Sequence, residues 1–186
     1  MNEFFLASNR SVFNEDIEIK QISVRDLDKW SQFAEMIRKD LKQDYSNENL
    51  ESIVKQHIIA AIMVCSLTTI HDENFYANIM NTDADVFLSI FADVLTVNKT
   101  YFDQEDGKKS AEKSENTWFD SFQFLISKGH RHKDILDYSF GTFIEYLKAA
   151  QRNERNSLLS FSGAMRVSYH ADVKRFEKYN KEMKSV

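Results

Sequence analysis

Apolar and polar positions follow two rhythms along this chain. Over Ile17-Glu18-Ile19-Lys20-Gln21-Ile22 they alternate, which predicts a short half-buried strand, alone or in a hairpin with residues near Val12 and Phe13. From Leu27 the spacing lengthens. Leu27, Trp30, Phe33, Ala34, Ile37 and Leu41 recur every three or four residues, the repeat of one helix face. Ser23, with Asp26 three positions on, resembles a capping box at the entry to that helix. A second helix is expected from Ser46 or Asn47 to Ile70, carrying Leu50, Ile53, Val54, His57, Ile58, Ala61, Ile62 and Cys65. Its later half is apolar on most sides, which places it at the centre of the domain. A short helix over 72–80 follows, and then one capped by Thr82 or Asp83 with Val86, Phe87, Ile90, Phe91, Val94 and Leu95 in register. Residues 1–16 read as a loosely held arm anchored by Phe4, Phe5, Leu6 and Phe13.

The rhythm stops at Gln104–Asn116, which contains no large apolar residue and reads as a polar linker. It resumes over Thr117–Ser127 with Trp118, Phe119, Phe122, Leu125 and Ile126, and Gly129 is placed to end that helix. Another helix is expected from Asp134 to Leu147, and a polar one from about 156 to 183. The expected fold is mainly α. An acidic helical module with a short strand or hairpin occupies 1–103, a linker 104–116, and a basic helical module 117–186.

Composition points the same way. Among 186 residues there is no proline and there are only four glycines, too few turn formers for a multi-stranded sheet or sandwich. The longest apolar run, Ile58–Leu67, falls well short of the ~20 residues that cross a bilayer, so no membrane partner is expected. The opening residues lack a basic segment followed by a long apolar one, so a cytoplasmic location is expected. A single cysteine, Cys65, excludes a disulfide framework and a multi-cysteine metal site. The net charge of −5 hides a split: residues 1–116 hold 12 Lys/Arg against 21 Asp/Glu, and residues 117–186 hold 12 against 8. Such asymmetry suits two units with different partners, or two that attract each other.

Candidate chemistry is sparse. His130-Arg131-His132 has the spacing of a metal pair but sits among cations, and no cysteine or carboxylate motif nearby completes a ligand set. His71-Asp72-Glu73 reads as the end of one helix and the start of the next. Cys65 has apolar neighbours that would hold its thiol protonated. No two glycines lie close enough for a phosphate-cradling loop. No catalytic residue, metal or cofactor is therefore assigned, and the chain is read as non-enzymatic. Nucleic-acid binding is the competing class. It is disfavoured because Glu145, Glu154, Asp172, Glu177 and Glu182 interrupt the basic positions of the C-terminal module. The apolar residues of that module suit a protein partner instead. Tyr138, Phe140, Phe143, Ile144, Tyr146 and Leu147, then Leu158, Leu159, Phe161 and Met165, with Arg152 between them, form the candidate groove for another apolar helix.

Two segments together resemble a known family. Ile17-Glu18-Ile19-Lys20-Gln21-Ile22-Ser23-Val24-Arg25-Asp26-Leu27, followed by the Trp30/Phe33 helix, is similar to the opening of tailed-phage tail assembly chaperones, where a short strand leads through an "sVrdL" entry into an amphipathic helix. Asp134-Ile135-Leu136-Asp137-Tyr138-Ser139-Phe140, continuing to Tyr146-Leu147-Lys148-Ala149-Ala150-Gln151-Arg152, resembles the C-terminal helix of that family, ahead of a polar helix containing Ala164-Met165-Arg166. The resemblance implies a protein that binds the tape measure protein and recruits tail tube subunits in the host cytoplasm, and that is absent from the mature virion. Self-association is left open. A baseplate hub assembly protein and a small structural tail component are the alternatives nearest in role.

Overall fold

The computed structural model describes residues 11–104, 117–170 and 172–183. Most of the expected N-terminal arm and nearly all of the expected linker lie outside the described residues. The chain divides into two compact units, Met1–Tyr146 and Leu147–Val186. The fold is mainly helical, with a short two-stranded antiparallel hairpin near the N-terminus.

In the first unit, β1 (Val12–Asn14) pairs with β2 (Ile17–Ile19), Val12 opposite Ile19. Glu15, in the left-handed region at φ 51°, turns the chain between them. Ile19 points inward and is fully buried, as the alternation predicts. Helix α1 (Leu27–Leu41) buries Leu27, Trp30, Ala34, Ile37 and Leu41, one stripe at helical spacing. Lys42 and Gln43 end it with positive φ.

The long helix expected from Asn47 to Ile70 is two: α2 (Asn47–Gln56) and α3 (Ile58–Ser66). His57, at φ −125° and ψ 44°, separates them, and its Nε2 lies 2.6 Å from Asp40 Oδ2 at the end of α1. The side-chain hydroxyls of Thr68 and Thr69 bond back to the Val64 and Cys65 carbonyls at the C-terminal end of α3. Asp72 caps α4 (Glu73–Thr82) by accepting from the Phe75 N–H, and Asp83 caps α5 (Ala84–Val97) by accepting from the Val86 N–H. One further turn, α6 (Lys99–Phe102), follows.

Trp30 lies at the centre of the core these helices enclose. Its ring meets Tyr101 edge-on at 4.9 Å and Phe102 at 5.5 Å, and its indole N–H donates to the Val64 carbonyl at 3.3 Å. Asn98, also buried, serves the segment leading from the hairpin to α1. Its Oδ1 accepts from the Ile22 N–H at 2.7 Å, and its Nδ2 donates to the carbonyls of Val94 and Lys20.

The remaining elements are α7 (Trp118–Ser127), α8 (His132–Asp137) and α9 (Phe140–His170). Thr117 and Asp120 form a reciprocal capping box at the start of α7. Gly129, at φ +97°, ends α7, with the His130 N–H returning to the Leu125 carbonyl. The helix expected over 134–147 is interrupted at Tyr138 and Ser139, because backbone there is used for long-range pairing. The N–H groups of Val24 and Arg25 donate to the carbonyls of Tyr138 and Leu136, and the Phe140 N–H donates to the Ile22 carbonyl. Ser139 Oγ donates to Gln21 Oε1 at 2.9 Å beneath this bridge. Phe140 then enters the same core, its ring 5.6 Å from Tyr101. The compact first unit therefore continues to Tyr146, beyond the 104–116 segment at which sequence composition changes.

The second unit holds α9 from Leu147 onward and α10 (Val173–Met183). Helix α9 does not stop near Leu147. Lys148-Ala149-Ala150-Gln151-Arg152, all good helix formers, carry it unbroken to His170. Asp172 accepts from the Arg175 N–H at the start of α10.

Candidate interaction surface

The residues singled out for chemistry are occupied structurally. Cys65 is fully buried, and burial pushes its thiol well above its ordinary range. His57 is paired with Asp40, and His71 stacks on Phe75 at 3.9 Å. His130 and His132 diverge: His130 Nδ1 lies 2.9 Å from the Tyr138 hydroxyl, while the His132 ring meets Phe122 edge-on. Among the described residues no group of three His, Cys, Asp or Glu side chains converges on a point that could hold a metal ion. No helix among them is long and apolar enough to cross a membrane. Tyr76 and Tyr101 are pushed up to about 12 by burial, and they keep their protons at neutral pH as core hydroxyls.

The eleven candidate partner-binding residues divide between the two units. Phe140 and Phe143 are buried, and both rings are used inside the first unit, Phe143 against Trp118 at 5.6 Å and Phe122 at 5.7 Å. Ile144 is half-buried and packs on the same core. Tyr138 and Tyr146 form an aromatic cluster with His130: the His130 and Tyr146 rings are 4.9 Å apart and the two tyrosine rings 5.2 Å. Burial raises the Tyr138 hydroxyl above its ordinary pKa. Tyr146 is the more exposed of the two tyrosines, and Leu147 is half-buried. Arg152, Leu158, Leu159, Phe161 and Met165 are all exposed.

That second group has a simple geometry. Leu158, Phe161, Met165 and Tyr169 stand at i, i+3, i+7 and i+11 on α9, one stripe of one helix. Leu158 is 63% exposed and Phe161 66%. Every residue from Gln151 to Gly163 is exposed. Arg155 and Arg166 lie beside the stripe at helical spacing, with Leu159 between them on the same flank. A solvated helix face ordinarily carries polar residues at such positions.

A second exposed face, on α7, was not singled out as a binding surface by sequence. Phe119 is 79% exposed, and Ile126 lies two turns further along the same side, with half-buried Phe122 between them. Trp118 and Phe122 of this helix also line a cavity of about 410 Å³ whose other walls include Leu27, Tyr101, Leu136 and Phe140, with Asp28 as its charged member. The signal was present in the sequence: Thr117–Ser127 carries more large apolar residues than one buried face can use, and only Leu125 is buried.

No family model, curated protein or solved structure matches this chain.

Proposed function

We propose that this chain is a non-enzymatic assembly chaperone of tailed bacteriophages, which binds the tape measure protein and recruits tail tube subunits in the host cytoplasm, and does not remain in the finished particle. The observation that carries this reading is the bare stripe of Leu158, Phe161, Met165 and Tyr169 on α9. A long apolar helical client aggregates unless its apolar side is covered, and a helix with an uncovered stripe offers matching surface at the same repeat. The net negative charge of residues 1–146 would keep such a complex dispersed. The resemblance of Ile17–Leu27 and Asp134–Arg152 to the tail assembly chaperones supplies the identity of the client.

The test is a tagged pull-down from prophage-induced or infected cells, read by mass spectrometry beside the proteome of purified particles. Retrieval of a very long helical tail protein, together with absence from the particles, is the expected result. The paired substitution Phe161→Asp, Met165→Asp should abolish retrieval while leaving the far-ultraviolet circular dichroism of the protein intact. Those positions are the informative ones, since Phe143 is buried and its replacement would report on folding. Finding the protein as a stoichiometric component of particles would overturn the reading in favour of a structural tail subunit.

A further inference from the structure

Among the described residues, each unit carries an apolar helix face that its own elements leave exposed, and the two units are opposite in net charge. The α9 stripe, with Phe161 at its centre and Arg155 and Arg166 beside it, belongs to a unit with nine Lys/Arg against four Asp/Glu. The α7 face, with Phe119 and Ile126, belongs to a unit with 15 against 25, and the exposed Asp28 lines the adjoining cavity. We infer that the α9 stripe of one copy docks on the α7 face of a second copy, in a head-to-tail contact.

Net charge selects this pairing from the three that these two faces allow between copies. Stripe against stripe would bring together two arginine-flanked helices, and α7 against α7 two units of like negative charge. Only the mixed pairing sets the basic flank against the acidic unit. Both surfaces also carry a protruding aromatic, Phe161 on one and Phe119 on the other, the residue type that anchors interfaces. Because the two patches differ, each copy that donates its stripe retains a vacant α7 face, so the contact propagates until it closes into a ring or meets a capped end. The contact stands independently of the chaperone reading. If that reading also holds, a neighbouring copy covers the stripe until a client helix displaces it.

Sedimentation velocity on the whole 186-residue chain tests this. The wild type should sediment above its 21.8 kDa monomer mass at micromolar concentration, with the excess growing with concentration and shrinking as salt screens the charges. Phe119→Asp and Phe161→Asp should each sediment as monomers. An equimolar mixture of the two should form a dimer and stop there, since one intact α7 face and one intact stripe remain between them. A wild type that stays monomeric at all concentrations overturns the inference. So does an oligomer insensitive to Phe119→Asp, or a mixture that fails to pair, because either outcome points to stripe against stripe. Phe119→Asp keeps the α9 stripe and should still retrieve the client. Loss of oligomers with client capture intact would therefore separate this contact from the proposed function.

Discussion

At the scale of single residues, Asn98 shows how a buried polar group can organise a fold rather than a reaction. In the segment between β2 and α1 the buried Ile22 gives its carbonyl to the Phe140 N–H, while its own N–H turns to a side chain, and a buried N–H without an acceptor is costly. Asn98, just past the end of α5, supplies that acceptor and donates with its amide to the Lys20 and Val94 carbonyls, so both ends of its side chain are used. Asn98→Ala should lower the stability of the protein by about 2–3 kcal/mol, because the Ile22 N–H stays buried and loses its partner. The loss should appear as a lower urea midpoint with an unchanged slope, whereas a shift within experimental error would mean that the segment is held by other contacts. Trp30 and Cys65 fit the same picture: large or reactive side chains whose polar atoms are either bonded to backbone or sealed from solvent.

At the scale of elements, helix starts carry local signals that can be both read and tested. The capping box of α7 is an example. The Thr117 backbone N–H, and then its hydroxyl, donate to the Asp120 carboxylate and hold its pKa below the usual range. A folded-state pKa below the unfolded one stabilises α7 at neutral pH, and that contribution is lost as pH falls from the ordinary carboxylate range through the depressed value. Asp120→Asn should flatten this acid limb, and Thr117→Ala should weaken the helix start by about 1 kcal/mol at neutral pH. Acrylamide quenching reads the effect, because Trp118 is half exposed beside the cap while Trp30 is fully buried. An acid limb unchanged in Asp120→Asn would show that α7 is held by packing alone. Signals of this local kind account for what was legible in the sequence: α1 spans Leu27–Leu41 as its apolar spacing predicts, Asp83 caps α5, and Gly129 ends α7. The interruptions at His57 and Ser139 were not legible. Neither carries proline or glycine, and each coincides with a partner elsewhere in the chain, Asp40 for His57 and the Gln21–Val24 segment for Ser139. Nor could periodicity separate Phe143, which is buried, from Phe161, which is not: spacing fixes which residues share a helix face, and the rest of the fold decides whether anything covers it.

At the scale of the whole molecule, the two units differ in how their helices are stabilised, and this has a measurable consequence. Helices α1, α3 and α5 bury their apolar stripes together, so their amides should exchange with solvent only when the first unit opens as a whole. From Gln151 to Gly163, α9 has no buried side chain, and a helix that buries nothing relies on local propensity, which stabilises isolated helices only marginally. In the whole 186-residue chain at high dilution, amides of this stretch should exchange by local opening, orders of magnitude faster than those around Trp30 and Ala61. Raising the protein concentration should slow exchange around Phe161 and around Phe119 together if copies dock through those two surfaces, while the core amides keep their rates. Protection at Gln151–Gly163 equal to that of the core at high dilution would contradict the independence of this stretch. Protection that rises with concentration at Phe161 alone would place the contact on α9 of both copies. The exchange pattern thus connects side-chain burial, helix stability and association within one measurement.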